Sequence, residues 1–174
     1  EKFQLGWLNY EVAFAGEKSE HKLGPAETNT KQAQGLFVVL PPKAVTEEIA
    51  APFEGEYFYY SGAGNNLDNM MYKPFTLEAG STFAAKANVQ IEIDWDYAYL
   101  VVSTDDGATW TNVETNLSTN TDPNGQNFGF GITGNSGGWV DLTADLSAFT
   151  GDVLLGFRYW TDVAAVEPGF MVDN

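Results

Sequence analysis

The sequence predicts an all-β fold, an antiparallel jelly-roll-like β-sandwich with a small N-terminal β appendage. Three observations predict it. Apolar and polar residues alternate with period two over long stretches, helical periodicity is nearly absent, and Gly- and Asn-rich turn signals punctuate the alternating segments. Hydrophobic residues at 44% and aromatics at 14% are enough to bury a core in 174 residues.

The elements follow in order. Glu1–Ala50 carries the single His (His21), most of the Lys and the breaks Gly24-Pro25 and Pro41-Pro42, and is taken as the appendage; Ala51–Asn174 is taken as the sandwich. Phe83, Ala85, Ala87, Val89, Ile91 and Ile93 fall on one side of a predicted strand, with Thr82, Lys86, Asn88, Gln90 and Glu92 on the other. Tyr97–Ser103 is apolar on both sides and is expected to be a central strand. Val153–Trp160 is a third, with Val153, Leu155, Phe157 and Tyr159 on one face. Shorter strands are predicted at Leu36–Leu40, Glu56–Tyr60, Asn69–Leu77, Trp139–Leu142 and Phe170–Val172. Asp105-Asp106-Gly107 supplies a tight hairpin turn, Thr115–Gly138 reads as one long polar loop, and a single helical turn is expected at Ala144–Phe149, stopped at Gly151. No internal repeat is present. The opening Glu1-Lys2-Phe3 and the closing Phe170–Asn174, which reads as an unfinished strand, suggest a fragment of a longer protein.

Composition excludes several functions. Lys plus Arg number 8 against 24 Asp plus Glu, a net charge of −16. Such a chain is repelled by nucleic acid and by anionic lipid. No apolar run is long enough for membrane insertion. With no Cys and one His there is no thiolate nucleophile, no Cys-based metal site and no two-His zinc motif. Excess acid with few Lys and many Asn, Gly, Thr and aromatics suits an exported bacterial β-protein.

Three constellations could carry chemistry. In Glu92-Ile93-Asp94-Trp95-Asp96 three carboxylates recur at every second position, on one face if the chain is extended. They fit a solvated acidic strand end, a calcium site built from oxygen ligands, or a glycosidase acid/base pair using Glu92 and Asp96. Ser103–Trp110 (STDDGATW) resembles the Asp-box pattern Ser-x-Asp-x-Gly-x-Thr-Trp, a structural hairpin whose Asp caps backbone N–H groups. Trp95, Tyr97, Tyr99, Trp139, Tyr159 and Trp160 could form a sugar-stacking platform or simply part of the core. The run Tyr57–Tyr60 has the same two readings, and His21 reads as a surface residue.

Several longer segments carry a family resemblance. Ile91–Trp110 (IEIDWDYAYLVVSTDDGATW), Gly131–Asp162 and Glu167–Asn174 (EPGFMVDN) resemble the immune inhibitor A family of secreted bacterial metallopeptidases, peptidase family M6, as do Leu5–Tyr10, His21–Pro25 and Tyr59–Leu77. The resemblance spans nearly the whole chain. It implies the region that follows the zinc peptidase domain, with VEG and MAM-like character: all-β, secreted, often stabilised by calcium, and not itself catalytic. Zinc ligands and a catalytic Glu have no counterpart here, because His21 is followed by Lys22-Leu23. In MAM-like sandwiches a cation commonly uses an Asp of the last strand, which corresponds to Asp173. The expected metal ligands are therefore Glu92, Asp94, Asp96 and Asp173, with Glu54, Glu56 and Asp68 as further candidates. The expected partners are the peptidase domain of the same parent chain and a protein substrate or glycan. A carbohydrate-binding module is the alternative, and it requires Trp95, Trp139 or Trp160 to face solvent on a concave surface.

Overall fold

A computed structural model describes residues 49–174 and, as strands, Lys2–Leu5 (β1) and Leu8–Glu11 (β2). The chain forms two compact units, Glu1–Glu47 and Glu48–Asn174. In the first, β1 and β2 pair antiparallel, with Lys2 opposite Glu11 and Leu5 opposite Leu8. The predicted strand Leu36–Leu40 and His21 lie outside the described residues.

The second unit is a sandwich of two four-stranded antiparallel sheets, with no helix among the described residues. Its strands are β3 (Tyr59–Tyr60), β4 (Asp68–Leu77), β5 (Thr82–Gln90), β6 (Tyr97–Ser103), β7 (Thr111–Val113), β8 (Asn135–Asp145), β9 (Gly151–Trp160) and β10 (Gly169–Asp173). One sheet has the order β3-β10-β5-β8, the other β4-β9-β6-β7. The predicted all-β sandwich is what forms.

The core follows from the alternation. Ala87 and Val89 of β5, Phe170 and Val172 of β10 and Tyr159 of β9 pack together between the sheets. Leu100 and Val102 of β6 meet Val153 and Leu155 of β9 nearby. Every residue of β6 is buried, as expected for a strand apolar on both sides. Its outer face, Tyr97, Tyr99 and Val101, is covered by Trp110 and Trp160. Burial of each such large side chain stabilises the fold by about 1.5–3 kcal/mol.

The Ser103–Trp110 hairpin forms as its pattern predicts. Asp105 accepts from Thr109 N (2.9 Å), Thr109 Oγ1 (2.6 Å) and Ser103 Oγ (2.7 Å), and the Gly107 N–H donates to Ser103 Oγ (2.9 Å). Gly107 takes φ 88°, which its missing Cβ permits. These donors, the Thr109 hydroxyl foremost, hold the Asp105 carboxyl down at about 2.

Four expectations are corrected. Strand β5 ends at Gln90, so Ile93 leaves the core face and is 65% exposed. Asn135–Gly138 belongs to β8 rather than to a loop, because Ser136 accepts the Val89 N–H (2.9 Å) and ties this Gly- and Asn-rich stretch to β5 across an irregular register at Asn88/Gln90. The helical turn at Ala144–Phe149 is replaced by the end of β8 followed by a tight turn, closed by the Phe149 N–H on Leu146 O (2.9 Å). Of Glu56–Tyr60, only Tyr59–Tyr60 is strand.

Candidate metal centre

The site is built where β5 hands over to β6. After Gln90 the backbone stops extending, and Asp94 adopts φ 66°, a left-handed conformation that Asp tolerates better than most residues. Glu92 O accepts from Asp96 N (3.2 Å) and from Thr133 Oγ1 (3.0 Å), while Asp94 N donates to Thr133 Oγ1 (3.1 Å). The segment is therefore a closed turn, not an extended strand. In such a turn residues four apart meet, so Glu92 and Asp96 come together and Asp94 is turned out of register with them.

The third carboxylate comes from another part of the chain. Tyr97 pairs with Trp160, so the residues just before β6 lie beside those just after β9. Thr161 is buried there, accepting the Leu67 N–H (2.8 Å) and donating to Gly64 O (2.9 Å). This anchors Asp162, whose N–H donates to Asp96 Oδ1 (2.8 Å) and whose Oδ1 accepts the Ala164 N–H (2.9 Å). One oxygen each from Glu92, Asp96 and Asp162 lies within 4.8 Å of the others.

The electrostatics are unbalanced. The ion pairs of the described residues, Lys86–Asp141 (2.6 Å) and Arg158–Asp68 (2.7 Å), both lie elsewhere. Asp96 is only 2% exposed. Burial pushes its carboxyl up to about 6; the Asp162 N–H pulls it partly back, and the charges of Asp162, Glu92 and Glu167 raise it further. Burial and the charges of Asp162 and Glu167 likewise raise Glu92. Three converging carboxylates with no cation repel one another.

The donor set fits a hard divalent cation. All three ligands are oxygens, and the N–H bonds to Asp96 and Asp162 fix their orientation. Calcium takes six to eight such oxygens in flexible geometry, with water completing the shell. Zinc, which favours imidazole and thiolate, fits poorly.

The structure brings together Glu92 and Asp96 of the expected ligands. Asp94 and Asp173 lie outside the group. Asp173 accepts from the N–H groups of Phe53 (2.8 Å) and Glu54 (3.1 Å), and so closes the backbone at the far end of β10. Gly169 pairs with Gln90 beside the acidic turn, whereas Asp173 pairs with Lys86, four residues and roughly 13 Å along the strand. Asp68 is held by a two-pronged bond from Arg158 (2.7 and 2.9 Å), and Glu54 and Glu56 join no carboxylate group among the described residues. The third carboxylate of the group, Asp162, is not among the expected ligands. Its signal was present in the pairing of Tyr97–Ser103 with Val153–Trp160, which sets residue 162 beside residue 96.

The rival chemistries fare less well on geometry. A glycosidase pair must reach a sugar, and the burial of Asp96 denies it that reach. Trp139 donates to Ala51 O (2.8 Å) and packs against Phe53 and Phe58, and Trp160 packs edge-on to Phe128 (5.2 Å). Of the three tryptophans only Trp95, at 39%, is well exposed, on the acidic turn itself.

Comparison with known proteins adds the wider context. A model of the immune inhibitor A-like MAM domain matches residues 19–174. The pre-pro-metalloprotease PrtV of Vibrio cholerae serotype O1 is 37% identical over 150 residues, covering 84% of this chain and 16% of that protein, in both strain M66-2 and El Tor Inaba N16961. Immune inhibitor A of Bacillus thuringiensis subsp. alesti is 28% identical over 172 residues, covering 96% of this chain and 23% of that protein. The chain thus spans less than a quarter of the length of these curated relatives.

Proposed function

The chain belongs to the immune inhibitor A-like MAM domain family, and from that premise we propose that it is a non-catalytic accessory module of an extracellular M6-type zinc metallopeptidase, stabilised by calcium. The observation that carries the reading is the ratio of coverages. Nearly the whole chain matches, yet it accounts for only 16% and 23% of two proteins named for proteolysis or immune inhibition. A module of that size leaves ample chain for a separate peptidase domain, its partner within the parent protein.

Within the module, Glu92, Asp96 and Asp162 would hold the cation. Bound calcium would supply charge neutralisation and a cross-link between the turn after β5 and the loop after β9. The protein's own contribution is orientation: Thr133 closes the turn, Thr161 anchors the loop, and the Asp162 N–H aims Asp96. No role in bond cleavage is assigned to these carboxylates. The module would act by supporting the peptidase domain or by holding its polypeptide substrate.

The test has two arms. The isolated chain, incubated with casein and with chromogenic glycosides in zinc and calcium, should hydrolyse neither; cleavage of either would overturn the non-catalytic reading. Deleting the module from the full-length parent should shorten the half-life of its peptidase activity or weaken protein hydrolysis. Unchanged half-life and unchanged hydrolysis of protein substrates would contradict an accessory role.

A further inference from the structure

The sandwich is unequal at one edge. Strand β4 spans ten residues at the edge of its sheet and, among the described residues, is hydrogen-bonded to β9 alone. The edge strand of the other sheet, β3, is two residues long. Residues opposite one another in an antiparallel pair point to the same face. Met71 pairs with Phe157 and Phe75 with Val153, whose side chains pack in the core, so Met71 and Phe75 face the interior. Tyr59 pairs with Val172, another core residue, and faces inward too. Yet Met71, Phe75 and Tyr59 are 37%, 43% and 65% exposed. The opposing sheet is too short to cover them.

The uncovered space is a cavity of about 270 Å³, with Tyr59 and Ser61 on one lip, Met70 and Met71 on the other, and Phe157 and Phe170 at its floor. It is a slot of mainly aromatic and methionine side chains with Ser61 and Asn69 among them, and its rim is strand backbone that no other described strand pairs. Edges of this kind attract another chain unless something blunts them. On β4, Lys73 points inward and Pro74 lacks an N–H, so the second half of the strand is blunted. The half from Asp68 to Tyr72, which borders the cavity, is less blunted: the charge of Asp68 is taken up by Arg158, and Asn69 Nδ2 donates to Ser61 O (2.8 Å) across one end of the slot.

We propose that this half-strand and the cavity form a docking site for an extended polypeptide, which adds as a further strand beside β4 and places one apolar side chain between the sheets. Only a polypeptide supplies backbone donors and acceptors in the alternation that an edge strand offers, and a pocket for alternate side chains gives such binding its selectivity. Charge adds a direction. Asp68 pairs with Trp160, so this end of β4 runs toward Asp162 and the acidic turn, while Lys73 marks the other end. Arg158 neutralises Asp68 itself, but the three carboxylates gathered at the acidic turn outnumber the charge of one divalent cation, so the bound segment carries a basic residue at this end. The proposal rests on the accessory reading and names its substrate class: the module grips unfolded or extended protein near the peptidase.

The test uses the full 174-residue chain and a short fluorescent peptide of alternating valine and threonine with lysine at both ends. Fluorescence polarisation should show saturable binding in the micromolar range. The same peptide N-methylated on the amides of one edge should bind at least tenfold more weakly. Met71→Lys should also weaken binding at least tenfold while the melting temperature stays within a degree or so of the parent, since this side chain is partly exposed. Amide exchange at Asp68–Tyr72 should slow when peptide is bound. Four results would each overturn the proposal: no saturation at millimolar peptide, equal binding of the N-methylated peptide, protection of β4 by dimerisation of the chain without peptide, or displacement of the peptide by cellohexaose. Failure here with an intact calcium response sinks this proposal alone; the accessory reading falls instead on its own deletion experiment.

Discussion

Two acidic turns flank β6, and they treat their carboxylates in opposite ways. After the strand, Asp105 sits in a hairpin that spends it entirely on its own backbone and hydroxyls, and those donors hold it at about 2. Before the strand, Asp96 is buried beside Glu92 and Asp162, and is pushed up to about 6. Both are Asp residues within ten positions of each other, in turns of similar size. The difference is where the compensating donors come from. At Asp105 the motif carries them locally, in Ser103 and Thr109. At Asp96 the fold supplies one N–H, from Asp162, together with that residue's negative charge. A carboxylate satisfied by its own loop is architecture; three carboxylates gathered within 4.8 Å repel one another, and the proposed calcium would offset that repulsion.

The comparison can be broken by mutation, and the largest effect is expected at the satisfied turn. Asp105→Ala removes three acceptor contacts that close the hairpin. It should lower the melting temperature by several degrees, equally in calcium and in EDTA. A loss confined to calcium would mean that this turn, too, serves a cation. Asp96→Asn should act in the opposite sense. In EDTA it removes a buried charge and should raise the melting temperature by a few degrees; in calcium it should abolish any metal-dependent gain. A fall in EDTA larger than the loss seen in calcium would show that the charge itself holds the apo fold.

Acid titration sharpens the contrast. In EDTA, the folded-state value of about 6 for Asp96 lies above the roughly 3.9 of an unfolded chain, so the native state holds the extra proton between them. Its contribution to stability is greatest below about pH 4 and is lost as pH rises through about 6. Asp105, at about 2, lies below the unfolded value, so its contribution is full above about pH 4 and is lost as pH falls through about 2. Denaturant melts across pH should separate the two, with Asp96→Asn flattening the upper limb and Asp105→Ala the lower. The smallest effect is expected at Asp94→Asn, which lies outside the carboxylate group and should leave the calcium response unchanged.

How far the sequence foretold this molecule depended on whether the determinant was local. β6 and β9 were legible because their two faces are written in consecutive residues, and the hairpin at Asp105 was legible because all its bonds fall within Ser103–Thr109. Asn135–Gly138 reads as loop by composition, and becomes strand only because Ser136 bonds to Val89, 47 residues away. The acidic segment looks extended because alternation is also what a turn of mixed residues can mimic; the left-handed Asp94 decides the matter, and alternation does not encode it. Asp162 was missed because it joins the site through strand pairing. Asp173 drew attention as an acid in the last strand, but its carboxylate caps the backbone of Phe53 and Glu54.

A calcium melt decides whether the corner of Glu92, Asp96 and Asp162 holds a cation. At a hundred times the dissociation constant, a ligand bound only to the native state stabilises it by about 2.7 kcal/mol. In a domain of this size that is a rise of roughly 5–10 °C. The full chain should show such a rise in millimolar calcium relative to EDTA, lost in Asp96→Asn and Asp162→Asn and kept in Asp173→Asn. A melting temperature indifferent to calcium, or a rise that survives Asp96→Asn but vanishes in Asp173→Asn, would contradict it.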